Sequence, residues 1–230
     1  MEPRITLRKP SKETIAAFLV NQSRFDVTYA AVGATATVPP SDYNVDHSRI
    51  KLGEGEKVFL AAKAALECWT QFRLGWVDAR PLESSFRVGG MVAVVGRSVG
   101  LWWLNACRIV YLINEDGPVA RFGVAYGTMP AHAGSGEERF LVEWDRKDDR
   151  VWYDILAFSQ PHGLLAHIGY PWLRKLQRRF AVDSGAAMVK AADGYKKLTV
   201  QRDGKQVLGT PIDTQEQITK LPRDIAQQLK

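Results

Sequence analysis

The order of secondary structure in the second half of the chain constrains its fold most. Between Met91 and Gln160 the sequence contains five strand-like runs, separated by short turns rich in Gly, Asp and Pro. One amphipathic helix follows, from Pro171 to about Ala192. Because consecutive strands joined by short turns pair antiparallel, this order predicts an α+β protein with a curved antiparallel sheet around a long C-terminal helix. Such a sheet leaves room for a cavity between its concave face and the helix.

Two helices and two further strands are predicted in the part of the chain before Met91. Ser11 follows Pro10 and precedes an apolar stripe, so it is expected to cap a helix that ends at Gln22. A second amphipathic helix is predicted from Glu54 to Arg73. The predicted strands are Tyr43–Leu52, Trp76–Arg80, Met91–Arg97, Trp102–Glu115, Val119–Thr128, Glu138–Arg146 and Val151–Gln160.

Small and large side chains alternate along the Val119–Thr128 strand. In an extended strand this alternation places all the small side chains on one face. A face without bulky side chains allows another element to approach closely, so we expect either a packed helix or a bound ligand there. The large set is Phe122, Val124 and Tyr126, and the small set is Gly123, Ala125 and Gly127.

Composition and charge disfavour several protein classes. Hydrophobic residues make up 46% of the chain, which indicates a globular core. No apolar run approaches the roughly 20 residues of a membrane-spanning helix, and the N-terminus lacks the apolar segment of a secretory signal, so a cytoplasmic location is expected. The net charge is +6, partly from the basic residues of LRKLQRRF. Without interleaved aromatic residues this stretch predicts a solvated helix face, and no nucleic acid partner is expected.

Metal and cofactor motifs are not found in the sequence. Cys68 and Cys107 lack the spacing of metal ligands, and no His–His–carboxylate spacing occurs, so no metal is predicted. The strings VGGMVAVVG and LGEGE lack both the lysine of a phosphate loop and the GxGxxG order of a dinucleotide site. No cofactor is therefore expected.

Between Phe25 and Met188 the chain contains, in this order, the segments VDHSRIKLGEGEKVF, GLWWLNACRIVYLINE, RFGVAYGTMPAHAGSGEERFLVEWD, VWYDILAFSQP and IGYPWLRKLQRRFAVDS. Together they resemble the family called domain of unknown function nineteen-ninety. The resemblance implies a helix-grip fold, similar to that of START-type lipid-transfer proteins, pathogenesis-related plant proteins and polyketide cyclases (the START-like or SRPBCC group). It implies no catalytic residues.

Three parts of the chain are expected on these grounds: an N-terminal helical segment (1–24), a helix-grip domain (25–192) and a C-terminal arm (193–230). In the arm, YKKLTVQRDGKQVL predicts a hairpin that turns at Asp203-Gly204, followed by a polar helix broken at Pro222. Its apolar side chains are too sparse for a core of its own. We therefore expect the arm to dock on the main body or on a second subunit, which would give a homodimer.

Asp154 is the first of three candidates for acid–base chemistry. Its neighbours on the same strand face are Trp152, Leu156 and Phe158, where an unpaired carboxylate would cost several kcal/mol. Asp154 is therefore expected to form an ion pair, to act as an acid or base in a pocket, or to be exposed to solvent. Candidate ion-pair partners on nearby strands are Arg97, Arg108 and Arg121.

The other two candidates, Tyr126 and His132, lie at the end of a strand and in the loop that follows it. The loop, AHAGSGEE, also carries Glu137 and Glu138, so acid and base types occur together. Both a plain surface loop and the rim of a cavity remain open for it. A lone histidine, His47, is expected to be hydrogen-bonded within the structure.

Aromatic residues are frequent in the predicted sheet, and small-molecule pockets combine aromatic walls with a few polar groups. Core packing is the alternative explanation for each of them. The candidates for ligand contact are Trp102, Asn105, Tyr111, Tyr126, Trp144 and Trp152.

Three functions are compatible with these features. The first is binding of a small apolar or amphipathic molecule between the sheet and the C-terminal helix. The second is an enzyme of cyclase, dehydratase or hydrolase type, in which Asp154, His132 and Tyr126 move protons around a substrate. The third is a protein-interaction module that uses the C-terminal arm and the basic helix face.

Overall fold

A computed structural model describes residues 4–83, 86–162 and 169–203, with side chains up to Asp193. Within these ranges the strands are β1 (Arg4–Thr6), β2 (Asn44–Glu54), β3 (Val77–Pro81), β4 (Met91–Ser98), β5 (Leu101–Glu115), β6 (Val119–Thr128), β7 (Gly134–Asp145) and β8 (Arg150–Pro161). The helices are α1 (Lys12–Gln22), α2 (Glu56–Glu67) and α3 (Tyr170–Asp203), and short 3₁₀ turns occur at Ala34–Ala36 and Thr70–Phe72.

All eight strands belong to one antiparallel sheet. The strand order is β2-β8-β7-β6-β5-β4-β3, and β1 pairs with the first part of the long strand β5. Neighbours from β3 to β8 are sequential, as short turns between antiparallel strands require, whereas β2 closes the far edge by pairing with β8. The sheet and the C-terminal helix confirm the predicted α+β, helix-grip class.

The two faces of the sheet pack against different elements. On the concave face, alternate side chains such as Val92, Phe140 and Tyr153 join α2 and the end of α3, where Met188 and Ala192 are fully buried. On the outer face, α1 packs against a second cluster that contains the intervening residues of β4. The period-2 alternation of strand side chains therefore separates the two cores.

Both N-terminal helices form, but the second is shorter than predicted. The side chain of Ser11 accepts a hydrogen bond from the Thr14 amide at 3.2 Å, which confirms the predicted cap of α1. α2 ends at Glu67, six residues before the predicted end at Arg73. The reason is local, because Trp69 adopts a left-handed conformation (φ 55°) that no α-helix continues through.

The small face of β6 is occupied by a segment before β2. A Cβ atom at Gly127 would overlap the hydroxyl of Tyr29 and lie 2.8 Å from a carbon of its ring. Tyr29 is itself buried, and its ring packs edge-on against Phe158 at 5.5 Å between centroids. The predicted close approach is therefore present, and the approaching group is Tyr29 rather than a helix or a ligand.

The predicted loop AHAGSGEE and the predicted C-terminal hairpin need correction. The predicted loop AHAGSGEE is strand from Gly134 onward, because β7 pairs with β8 from Gly134–Pro161 to Asp145–Arg150. The first half of the predicted C-terminal hairpin is helical, since α3 continues to Asp203. Its second half from Gly204, the broken helix at Pro222 and any homodimer contact of the arm lie outside the described residues.

The chain divides into two compact units, Met1–Lys196 and Lys197–Lys230. The division into segments 1–24, 25–192 and 193–230 stays a prediction. Within the described residues, no helix combines the length and the hydropathy needed to span a membrane.

Candidate functional site

A cavity of about 600 Å³ lies between the concave face of the sheet and α3. Strands β2 to β8 and the first half of α3 contribute to its walls, which are mostly apolar. The volume falls within the range typical of small-molecule sites, about 300–1,000 Å³. The aromatic residues on its walls are Phe72, Trp76, Trp103, Tyr126, Phe158, Trp172 and Phe180.

Polar contacts hold α3 across the cavity. The guanidinium of Arg174 forms a two-pronged ion pair with Asp46 of β2, with an N–O distance of 2.6 Å for one prong. Gln177 donates from Nε2 to the Ser159 hydroxyl of β8 at 3.1 Å. Bidentate pairs fix geometry as well as adding energy, so the helix has a defined position over the sheet. Further contacts are Trp172 Nε1 to Ser98 Oγ (2.9 Å), Trp76 Nε1 to Asp183 Oδ2 (2.8 Å) and Tyr153 Oη with Ser184 Oγ (2.9 Å).

Tyr126 and Glu138 form a hydrogen-bonded pair on the cavity wall. They are direct neighbours in the β6–β7 register, and the Tyr126 hydroxyl donates to Glu138 Oε2 at 2.6 Å. The pKa of Glu138 is raised to about 7, chiefly by burial; the hydrogen bond from Tyr126 lowers it and the nearby Asp46 raises it, both by less than burial does. Burial also raises the pKa of Tyr126 well above its usual value. Tyr126 therefore remains a donor, and Glu138 changes charge close to neutral pH.

His132 and Asn105 line the same cavity near one end. Nδ1 of His132 lies 2.8 Å from the Gly134 amide nitrogen and 3.0 Å from the Gly134 carbonyl oxygen. Burial lowers the pKa of His132 to about 4, so its imidazole is neutral at pH 7. Asn105 Oδ1 accepts from the Ala133 amide at 3.1 Å and thereby fixes the chain beside His132. Tyr126, His132 and Asn105 are the predicted site residues that the structure brings together.

Asp154 lies on the outer face of the sheet and does not line the cavity. Its carboxylate accepts from Arg139 at 2.8 Å and contacts His47 Nε2 at 2.7 Å, with a nitrogen of Arg49 at 3.6 Å. The expected ion pair is present with a different partner, because Arg139 is on the neighbouring strand β7 and on the same face. The expectation that Asp154 faces the cavity is corrected, since its neighbours in β8, Tyr153 and Ile155, take the concave face.

Two other predicted ligand residues lie on the outer face, contrary to prediction. A β-bulge between Ile109 and Tyr111 reverses the side-chain alternation of β5, so Tyr111 points outward. Its hydroxyl forms a hydrogen bond with the Thr35 hydroxyl at 2.7 Å. Trp152 shares the face of Asp154, where the guanidinium of Arg49 lies 5.1 Å from its ring centre. Both side chains take part in contacts that stabilise the outer face.

Trp102 and Trp144 are also outside the cavity. Trp102 packs with the α1 cluster, and it is the next residue, Trp103, that lines the cavity. Trp144 is on the concave face but farther along the sheet, where it packs against Phe59 of α2 at 6.0 Å between ring centres. The strand alternation that places Asn105 inward also indicates Trp103, so the sequence contained the signal for this residue.

Glu138 is the functional candidate that the sequence placed least well. It was expected beside Glu137 at the junction of the loop AHAGSGEE and the predicted strand Glu138–Arg146, whereas both residues lie within β7, which sends the two carboxylates to opposite faces. Glu137 is buried and accepts from the Tyr29 hydroxyl, the Gly33 amide and both the amide and the hydroxyl of Thr35. Across the described residues, no three His, Cys, Asp or Glu side chains converge as metal ligands do.

Solved structures with a similar fold are distant from this chain. Human STARD10 has a TM-score of 0.43 at 12% identity, with 84% of this chain and 84% of that chain covered. A hypothetical protein from Helicobacter pylori has a TM-score of 0.46 at 12% identity, with 73% of this chain and 99% of that chain covered. Similarity at this level implies nothing about function.

Relatives by sequence are much closer. A UPF0548 protein of Dictyostelium discoideum is 36% identical over 203 residues, which is 80% of this chain and 94% of the relative. A UPF0548 protein of Deinococcus radiodurans is 33% identical over 198 residues, covering 81% of this chain and 98% of the relative. The family model described as domain of unknown function DUF1990 matches residues 28–187. The chain therefore belongs to the DUF1990 family.

Proposed function

We propose that this protein binds a small apolar or amphipathic molecule in the cavity between the sheet and α3. The observation that carries the proposal is the cavity itself, about 600 Å³ with mostly apolar and aromatic walls. A few polar groups reach it, among them Asn105, His132 and the Tyr126–Glu138 pair. This combination is the one that small-molecule sites use, with apolar surface for affinity and few polar groups for orientation.

The physical gain comes from removing apolar surface from water. Each buried CH₂ group contributes about 0.8 kcal/mol, which is about a fourfold change in affinity. A series of straight-chain alcohols should therefore bind more tightly by about this factor per carbon until the cavity is filled. An affinity that does not depend on chain length would argue against burial in the cavity.

The contacts of Asp154 give no support to an enzyme that uses this residue. Its carboxylate is engaged by Arg139 and His47 on the outer face, away from the cavity wall. A substrate in the cavity is therefore separated from Asp154 by the sheet. The carboxylate on the cavity side of the sheet, within reach of a bound molecule, is Glu138. Since Asp154 is separated from the cavity, binding is the function that the cavity supports best.

A substitution that fills the cavity tests the proposal. Ala181 of α3 lines the cavity, whereas Ala186 of the same helix is exposed. We expect Ala181→Phe to weaken 1-decanol binding about tenfold or more, because the ring occupies space that the ligand needs. Ala186→Phe is the matched control and should bind like the native chain.

Binding is measured by tryptophan fluorescence, since Trp76, Trp103 and Trp172 line the cavity. Absence of a signal with every alcohol, together with no co-purified small molecule in native mass spectra, would contradict the proposal. Equal affinity of the native chain and Ala181→Phe for 1-decanol would show that the alcohol binds outside this cavity.

A further inference from the structure

Charges are distributed unevenly around the cavity. Arg97 and Arg178 are exposed at its rim, and the guanidinium of Arg97 lies 5.7 Å from the outer-face ring of Trp102. Apart from these arginines, the ionisable residues on the cavity walls are Asp46, His47, Tyr126, His132, Glu137 and Glu138. Asp46 is paired with Arg174, and His132 carries no charge at neutral pH.

Two further ionisable residues touch the cavity but are engaged elsewhere. His47 is hydrogen-bonded to Asp154 on the outer face. Glu137 is buried and takes four hydrogen bonds from the segment between Tyr29 and Thr35. Among the described lining residues, Glu138 is therefore the carboxylate that a bound molecule can pair with.

The carboxylate of Glu138 keeps acceptor capacity for a ligand. Oε2 accepts from Tyr126, and among the described residues Oε1 has no hydrogen-bond donor. Glu138 is partly accessible and lines the cavity, so a molecule inside can reach it. A carboxylate has room for up to about four hydrogen bonds, and within the described part of the chain Glu138 uses one.

An aromatic wall adjoins this carboxylate. The ring of Tyr126, next to Glu138, lies 6.2 Å from that of Phe72, and Phe72 lies 4.8 Å from Phe180 of α3. All three residues line the cavity. The faces of aromatic rings attract cations, most strongly where water is excluded.

We propose that the ligand class of this cavity is an amphipathic amine, whose protonated nitrogen donates to Glu138 and lies against the rings of Tyr126 and Phe72. The apolar remainder of the molecule occupies the rest of the cavity. This inference rests on the proposed binding function and adds the chemistry of the head group. A carboxylate head group would meet a like charge at the same place, and an alcohol would gain no charge pairing.

The charge state of Glu138 gives this proposal a pH dependence. Burial disfavours a lone ionised carboxylate, and an ammonium group beside it reverses this penalty. Amine binding should therefore displace a proton from Glu138 below about pH 7. The titratable and charged groups near Glu138 are Asp46 of β2, which is paired with Arg174 of α3, and Cys107, Tyr126 and Tyr153, whose pKa values burial raises well above their usual range.

The test compares decylamine, 1-decanol and decanoate, which share one chain length and differ in head group. For the native chain at about pH 8.5, where Glu138 is mostly ionised and an alkylamine is still protonated, we expect decylamine to bind about tenfold or more tightly than 1-decanol, with decanoate weakest. Glu138→Gln should remove the preference for the amine, so that decylamine and 1-decanol bind with similar affinity. Glu67→Gln, which alters an exposed carboxylate at the end of α2, is the control and should keep the preference.

A second measurement needs no variant, so the test holds even if Glu138→Gln does not fold. Between about pH 6 and about pH 8.5 the ionised fraction of Glu138 rises about tenfold, and the affinity for decylamine should rise with it. The affinity for 1-decanol should not rise.

The possible outcomes separate the two proposals. Tight 1-decanol binding without a preference for decylamine, a preference for decanoate, or a pH-independent amine affinity overturns the amine proposal and leaves cavity binding intact. If none of the three probes binds, the proposed function fails, and the amine proposal fails with it.

Discussion

Replacing Asp154 by Asn tests whether this residue stabilises the fold or takes part in function. The Asp154 side chain is 2% exposed and that of Arg139 is 16% exposed, with 2.8 Å between the paired atoms. Asn keeps the shape but removes the charge, so the buried guanidinium loses its counter-ion. Arg139 has few groups to compensate with: its Nε lacks a partner, and its guanidinium otherwise contacts the neutral Thr35 carbonyl at 2.8 Å and the Tyr111 hydroxyl.

The expected cost follows from this burial. Removing one member of a buried ion pair destabilises a protein by about 3–5 kcal/mol. Because the Arg139 side chain is 16% exposed, water partly solvates the guanidinium that is left without its counter-ion, and we expect the lower end, about 3 kcal/mol. For a chain of this size, that corresponds to a fall in Tm of about 6–12 °C.

Urea unfolding followed by tryptophan fluorescence measures the loss, and a double-mutant cycle with Arg139→Met isolates the pair. The control is Glu115→Gln, which breaks an exposed pair with Arg121 (58% and 41% exposed, 3.3 Å) and should cost less than about 0.5 kcal/mol. Folded Asp154→Asn should still bind 1-decanol like the native chain. Native stability combined with lost binding would refute this argument and return Asp154 to the functional site.

Two further predictions concern Gly127 and Glu138. Gly127→Ala should cost about 1–3 kcal/mol in urea unfolding, because the new methyl group displaces the buried Tyr29 from its hydrogen bond to Glu137; Gly117→Ala, with no atom within 4 Å of its Cβ, is the control, and equal effects would contradict the packing argument. The pKa of Glu138 is raised from 4.5 to about 7, so its contribution to stability is fully present below pH 4.5 and is lost as the pH rises through 7. The unfolding free energy of the native chain relative to Glu138→Gln should therefore fall across this window, and a constant difference would show that Glu138 titrates normally.

The sheet was predictable from the sequence where local signals agree. The ends of β4, β5 and β6 fall within one residue of prediction, since alternating apolar residues and Gly, Asp or Pro turns mark them. The start of β7 was missed because Gly134-Ser135-Gly136 has low strand propensity. Pairing with Ser159–Pro161 of β8 extends the strand in spite of that composition. Tertiary context, which a single sequence does not contain, decided this boundary.

The site was harder to predict because it depends on which way each side chain points. Asn105 and Trp102 were assigned to the same pocket although an odd separation along a strand places them on opposite faces. Tyr111 has the correct parity relative to Asn105, yet the bulge after Ile109 turns it outward. No local signal marks that bulge, so the error at Trp102 was avoidable and the error at Tyr111 was not.

The register of β7 determines the chemical character of the cavity. Glu137 and Glu138 are adjacent in sequence, but one anchors the Tyr29–Thr35 segment on the outer face and the other faces the cavity. A slip of one residue would turn every side chain of the strand to the other face. In one direction Gly136 would take the place of Glu137, and the outer segment would lose the acceptor of four hydrogen bonds. In the other direction Arg139 would take the place of Glu138 at the cavity and would lose its pairing with Asp154, so either wrong register is disfavoured. The contacts that fix the outer face therefore also place an acidic group inside the cavity, which links the stability of one face to the ligand chemistry of the other.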